Sequence, residues 1–266
     1  MKNRDQIIAL FFIGTLCVLG CKQSPKSTSL KEEDVAVDRE DPTMDIKIIP
    51  IEHASAVLIW DGITIYVDPV GDKIAFKNVP EPDILLITDI HGDHFSMETL
   101  EGLNTEKSKI VVPQAIAYKM PEKFIPQLEI MENGNHRELL GIAIEAIPMY
   151  NLREEAVDFH PKGRGNGYIL TKNGKRIYFS GDTEDIPEMR TLANIDKAFI
   201  CMNLPYTMTV ESAANAVLDF KPKQVYPYHY RGNPDVADVT LFKNLVHSKN
   251  PNIEVVQLDW YPNAEY

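Results

Sequence analysis

Cysteine is scarce: three residues in 266, at positions 17, 21 and 201. Cys17 and Cys21 fall at the N-terminus, so Cys201 stands alone in the body of the chain and no intrachain disulfide is available there. It closes the apolar run Ala198-Phe199-Ile200 and reads as a buried strand residue. Cationic side chains are in deficit, 27 Lys and Arg against 39 Asp and Glu, for a net charge of −12. Such a surface repels a phosphate backbone and argues against nucleic acid as a partner. The apolar stretch Ile7 to Leu19 has about 13 residues, short of the roughly 20 that a spanning helix needs. No solenoid repeat is present, and no Ser-His-Asp signature. The glycines of Gly163-x-Gly165-x-Gly167 lack the strand-then-helix setting of a dinucleotide site.

What is there begins with Lys2 and Arg4, the apolar stretch, and small Gly20 before Cys21, the order of a secretory signal over residues 1–20. Val18-Leu19-Gly20-Cys21 resembles a bacterial lipoprotein lipobox, which implies cleavage before Cys21 and its acylation. The expected location is exported and membrane-anchored, facing the periplasm or the cell exterior. Residues 21–43 are rich in Lys, Ser, Pro, Glu and Asp and poor in large apolar side chains. Such a segment cannot offset its ordering entropy and reads as a lipidated tether. Residues 44–266 form the expected single domain.

Short β-rich runs open that domain, at 45–49, 56–60 and 63–67, with Asp61-Gly62 as a hairpin turn between the last two. The continuous apolar run 83–88 reads as a fully buried strand. A helix is expected over 96–103, a strand over 109–112, a short helix near 114–120, and strands over 127–131 and 141–148. In the second half, strands 167–171 and 175–180 flank Asn173-Gly174, a second hairpin signal. Helix 186–192, strand 196–201, helix 209–219, strand 223–228, helix 236–247 and strand 253–258 complete the pattern. Two β-rich halves, each acquiring helices later, predict two sheets face to face with helices outside, an α+β sandwich.

The chemistry concentrates in Thr88-Asp89-Ile90-His91-Gly92-Asp93-His94-Phe95, directly after the buried strand. Asp89, His91, Asp93 and His94 put four metal-capable side chains within six residues, on a turn leaving a strand end. Alternate positions 89, 91 and 93 can converge, while His94 reaches the far side of the turn. Imidazole suits Zn, Fe and Mn, and carboxylates favour the harder ions.

This segment resembles the His-x-His-x-Asp-His motif of the metallo-β-lactamase superfamily. Gly181-Asp182-Thr183 after strand 175–180 and His229 in Pro227-Tyr228-His229-Tyr230 match that family's later motifs, in its order. Ile51-Glu52-His53-Ala54-Ser55 and Val67-Asp68-Pro69 are similar to the opening hairpin of the branch with sugar-phosphate lactonases and lipid phosphodiesterases. The resemblance implies a four-layer αβ/βα sandwich. It also implies a hydrolase using a hydroxide that bridges two divalent ions to cleave an ester, lactone or phosphodiester bond of a small or lipid-like substrate. Asp93, His94 and His229 would hold one ion, Asp89 and His91 the other, and Asp182 would bridge, with Asp93 also orienting the water. Position 89 carries Asp where the family usually has His. The added charge hardens the site and leaves the ion open between Zn, the first choice, and Mn or Fe.

The last ligand of the Asp89–His91 ion is open between His160, which precedes strand 167–171, and Asn151, which follows strand 141–148. His53 sits at a strand end, as a site-edge group or as a structural hydrogen-bond partner. Tyr206, Tyr230 and Arg231 lie in loops expected to rim the site. Arg164, in a glycine-rich loop, is a candidate clamp for an anionic group. His136 and His247 read as surface residues. A lipid-anchored binding protein of this fold with little turnover, or a di-iron redox protein, would account for the same motif. The intact set His91, Asp93, His94, Asp182 and His229 argues against the first, and the lack of room for a flavin domain against the second.

Overall fold

Period-two alternation builds the first layer boundary. Leu58, Ile84, Leu86 and Val111 face one side of a sheet, while Val57, Leu85, Ile87, Ile110 and Val112 face the other. Both faces are buried, which is why residues 83–88 read as an unbroken apolar run. The computed structural model describes residues 46–71 and 74–262, all within one unit spanning residues 42–266. The expected signal (1–20) and tether (21–43), with Cys21, lie outside the described residues.

The first sheet runs β1 (Ile46–Glu52), β2 (Ser55–Trp60), β3 (Ile63–Val67), β4 (Ile84–Leu86), β5 (Lys109–Val112), β6 (Leu128–Ile130) in spatial order. Its first three strands form an antiparallel meander and β3 to β6 are parallel. The second sheet comprises β7 (His136–Leu139), β8 (Ile142–Met149), β9 (Gly165–Lys172), β10 (Lys175–Phe179), β11 (Lys197–Ile200), β12 (Gln224–Pro227) and β13 (Glu254–Val255), again in sequential order. Strands β7 to β10 are antiparallel, and β10 to β13 are parallel. Asp61-Gly62 (φ +48° and +79°) and Asn173-Gly174 (φ +50° and +74°) make the two expected hairpin turns.

Helices α1 (Met97–Gly102) and α2 (Gln114–Ala117) contribute Leu100 and Ile116 to the outer core of the first sheet. Helix α3 (Pro187–Arg190) and the longer α4 (Val210–Phe220) and α5 (Val239–Lys249) bury Met189, Val217 and Phe242 with the second sheet. Residues of both sheets share the central core, so the architecture is the sandwich expected from the sequence.

The differences have local causes. β7 and a 3-10 turn over Glu122–Gln127 were not expected. β7 is a polar, exposed edge strand without alternation, turned onto β8 by Leu140-Gly141 (φ +53° and +76°), which lacks the usual Asn or Asp. β4 ends at Leu86, not 88, because Thr88 leaves the ladder and donates its N–H to the Asp68 carboxylate at 2.7 Å. Helix α5 starts late because Asp238 caps it, accepting from Leu241 N at 2.8 Å.

Candidate metal centre

The carboxyl ends of parallel strands in the two sheets converge, where open sheets commonly place ligands. β3 delivers Asp68, β4 delivers Thr88 to His94, β10 delivers Asp182, and β12 delivers His229. Asp68 (φ +43°) and His229 (φ +47°), together with His53 (φ +57°) in the turn after β1, hold left-handed backbone. Such conformations cost of order 1–3 kcal/mol each for residues with a Cβ and cluster at functional sites. Here neighbouring backbone enforces them: His53 N donates to Trp260 O at 3.1 Å, and His229 N donates to His53 O at 3.2 Å.

Asp68 is the buried anchor. Its carboxylate accepts from Thr88 N (2.7 Å), Thr88 Oγ1 (2.7 Å) and His94 Nδ1 (2.8 Å), and Asp68 and His94 are both fully buried. With Nδ1 donating, His94 turns the lone pair of Nε2 into the site, the arrangement that metal-ligating histidines adopt. Burial favours neutral imidazole, yet the charges of Asp182 and Asp68 hold His94 well above its ordinary pKa. Asp68 was visible in the sequence only as part of Val67-Asp68-Pro69, with no site role attached.

Around His94 Nε2 gather Asp182 Oδ2 at 3.4 Å, Asp93 Oδ1 at 3.9 Å and His229 Nε2 at 3.0 Å. His229 Nε2 lies 3.2 Å from Asp182 Oδ1 and 3.4 Å from Asp93 Oδ2. A second cluster joins Asp89, His91 and His160: His91 Nδ1 is 2.6 Å and His160 Nε2 3.9 Å from Asp89 Oδ2. His160 Nε2 also lies 3.2 Å from Asp182 Oδ2, so Asp182 stands between the clusters. Burial would raise both Asp89 and Asp182, but the His91 hydrogen bond and the charges of His94 and Arg164 lower Asp89, and the charges of His229, His94 and His160 lower Asp182, both below the ordinary carboxylate value.

His160 and Asn151 are both buried here in unlike roles. His160 Nε2 faces Asp182, while its Nδ1 lies 3.2 Å from Tyr206 O and 3.2 Å from Asn151 Nδ2. Asn151 Nδ2 donates to Ala156 O (2.8 Å) and Tyr206 O (2.7 Å), so Asn151 sits behind His160 and fixes its ring.

His53 belongs to a third grouping with Asp93 and His229, and its tautomer is set from outside. Tyr261 Oη accepts from Tyr230 N (3.1 Å) and Arg231 N (3.0 Å), which occupies both lone pairs. Its hydroxyl also lies 2.8 Å from His53 Nδ1, placed to donate to it. His53 then carries its proton on Nε2, aimed at Asp93 Oδ2 at 3.3 Å. In this tautomer His53 donates to Asp93. Burial and nearby His229 lower its pKa, in keeping with a neutral ring.

A cavity of about 270 Å³ opens onto the clusters, lined by His91, Asp93, Phe159, His160, Asp182, Asn203 and Tyr206. Phe159 and Tyr206 meet edge to face at 5.2 Å on its wall. Arg164 is brought to Asp89, and Tyr230 and Arg231 gather about Tyr261 on the His53 side, away from the lining of this cavity. Arg231 stacks 4.1 Å over the Tyr261 ring. Exposed His136 and His247 lie on β7 and in the last turn of α5. Cys201 is buried directly after β11, and burial pushes its thiol up to about 12.

The donors fit divalent metal. Two imidazole nitrogens 3.0 Å apart, with Asp182 beside both, can share one proton as an N–H···N hydrogen bond or jointly ligate one cation. Asp182 Oδ1 and His160 Nε2 are buried and make no hydrogen bond. Imidazole and carboxylate donors together suit Zn, Mn and Fe.

Residues 47–229 match the model of the beta-lactamase superfamily domain, a span that contains every residue of these clusters. The class is thus a metal-dependent hydrolase of the metallo-β-lactamase superfamily. A UPF0173 metal-dependent hydrolase of Pyrococcus abyssi is 32% identical over 204 residues, covering 75% of this chain and 88% of that protein. The crystal structure of a candidate metal-dependent hydrolase from Parabacteroides distasonis is 37% identical over 80% of this chain and 93% of its own, with a TM-score of 0.71. Igni18, a metallo hydrolase of Ignicoccus hospitalis, is 26% identical over 80% and 94%, with a TM-score of 0.68. The chain belongs to the UPF0173 metal-dependent hydrolase family.

Proposed function

We propose that this protein hydrolyses an ester, lactone or phosphodiester bond at a centre of two divalent ions. Asp89, His91 and His160 would hold one ion, and Asp93, His94 and His229 the other, with Asp182 shared. The observation that carries the reading is the position of Asp182, within 3.4 Å of His94 Nε2 and 3.2 Å of both His160 Nε2 and His229 Nε2. When bound, such ions lower the pKa of water towards neutrality and polarise the scissile oxygen. The protein's own side chains supply the rest. His53 Nε2–H holds Asp93 Oδ2, while Asp93 keeps 41 % of its side chain exposed, facing the cavity, where it can orient water. Burial would raise its carboxyl, but hydrogen bonds from His229 and His53 hold it well below the usual range, so it acts as an acceptor and not as a proton carrier. Phe159 and Tyr206 wall the cavity and exclude bulk water from one side. Zn is the first choice of ion, ahead of Mn and Fe, because imidazoles outnumber carboxylates around Asp182.

The substrate reading is a small or lipid-like ester, lactone or phosphodiester, the chemistry of the branch whose opening hairpin the chain resembles. A panel of aryl esters, lactones and bis(p-nitrophenyl) phosphate tests it, on protein loaded with Zn or Mn. Turnover of one class that is abolished in Asp182→Asn supports the assignment. No turnover of any member by fully loaded protein refutes it. We further propose export and anchoring through acylated Cys21. Cys21→Ser should then move the protein from the membrane fraction to the soluble fraction, and an unchanged distribution would refute the anchor.

A further inference from the structure

The three carboxylates of the clusters are not equivalent. Among the described residues, Asp93 and Asp182 form ion pairs only with histidines, whereas Asp89 meets a permanent cation. Arg164 Nη2 lies 3.2 Å from both Asp89 oxygens, and Arg164 Nε lies 3.3 Å from Oδ1. The fork occupies Oδ1 and one side of Oδ2, so only Oδ2 is turned towards His91 and His160.

The pair is rigidly placed. Arg164 Nη2 also donates to Phe159 O, and Arg164 N donates to Pro161 O at 3.3 Å. Gly165, which follows, packs so tightly that a Cβ would lie 2.7 Å from Thr88 O and 3.3 Å from Asp89 Oδ1. Asp89 is fully buried, and the Arg164 side chain is 18 % exposed. At such burial solvent and salt screen the charge weakly.

A charge count separates the two clusters. With neutral imidazoles, Asp89 and Arg164 cancel, while Asp93 and Asp182 leave their cluster negative even if Asp182 is shared. A divalent ion is drawn to the negative cluster first, and the second ion arrives beside a guanidinium. We propose that Arg164 is a built-in counter-charge that makes the Asp89–His91–His160 site the weaker of the two. It thereby sets an order of filling in which the Asp93–His94–His229 site loads first and the protein is half-loaded at limiting metal. This rests on the two-ion reading above.

The test is a titration of the metal-stripped full chain with Zn²⁺, and separately Mn²⁺, against a chromophoric chelator. Wild type should bind two equivalents in two steps. Arg164→Met keeps the stem and removes the charge, and should tighten the weaker step by about tenfold or more while moving the tighter step by less than about threefold. Arg164→Lys keeps charge without the fork, and its weaker step should stay near wild type. Circular dichroism and Tm check that both variants fold. A weaker step that loosens or stays put in Arg164→Met overturns the proposal, as do two equivalents bound with one affinity in wild type. A single equivalent in wild type and both variants overturns the two-ion reading and this proposal with it.

Discussion

Asp68→Asn isolates the hydrogen bond that aims His94. The native carboxylate takes three hydrogen bonds, from Thr88 N, Thr88 Oγ1 and His94 Nδ1, at 2.7, 2.7 and 2.8 Å. In the variant, the Thr88 N–H still needs an oxygen, which turns the new amide nitrogen towards His94 Nδ1. That nitrogen donates, so His94 must accept on Nδ1 and carry its proton on Nε2, where it blocks the lone pair that faces Asp182 and His229. Shape and packing are nearly unchanged, and Thr88 Oγ1 can accept from the amide, so the stability loss should be about 1 kcal/mol. Metal affinity at the His94 site should fall about 10- to 100-fold, the usual cost of losing such a partner. Asp68→Ala is the contrast: three buried donors lose their acceptor at about 1 kcal/mol or more each, a total of about 3–5 kcal/mol. Metal titration and urea unfolding of both variants read the two effects separately. Asp68→Asn binding both ions within about threefold of wild type would refute the reasoning, because His94 Nε2 would then not be a ligand.

Tyr261→Phe should free the His53 tautomer and strand the Tyr230 and Arg231 N–H groups, at a cost of about 2 kcal/mol. Nitrogen-15 NMR of His53 should show its proton leaving Nε2 for Nδ1, and an unchanged tautomer would contradict the assignment. The pH dependence of the metal-free protein follows from two directions of shift. His94 is raised, so its contribution is complete below the ordinary value of 6.5 and is lost as pH rises through its folded value. Asp182 and Asp89 are lowered, so theirs is complete above the ordinary 3.8 and is lost as pH falls through their folded values. Tm in chelator should therefore fall most steeply below 3.8 and above 6.5, with a plateau between them that lowered His53 tilts down towards low pH and raised Asp68 tilts down towards high pH. Bound metal should extend the plateau to higher pH, because the ion takes the proton's place on His94.

What the sequence disclosed of the site was contiguous. Asp89, His91, Asp93 and His94 lie within one turn, and their residue types are unusual enough together to announce a metal site. Asp182 and His229 were legible through the resemblance to the metallo-β-lactamase motifs, in which each follows a strand. The hairpins at Asp61-Gly62 and Asn173-Gly174 were legible because those dipeptides accept φ > 0. Partnerships across the fold were not. Asp68 meets His94 across 26 residues, and Tyr261 meets His53 across 208, and neither pair leaves a periodic or local trace. The choice between His160 and Asn151 turned on which side chain faces Asp182, a matter of how the loop between β8 and β9 folds, which spacing does not encode. The Arg164–Asp89 pair needed the loop before β9 to be laid against the end of β4, where Asn166 N reaches Thr88 O at 3.0 Å.

The central claim is that two ions occupy two clusters that share Asp182. Elemental analysis of metal per chain tests it most directly, on wild type, His91→Ala and His229→Ala purified with metal supplied. Two equivalents in wild type, with one lost from each variant, is the result this account predicts. Wild-type protein that retains no ion after supplementation would contradict it.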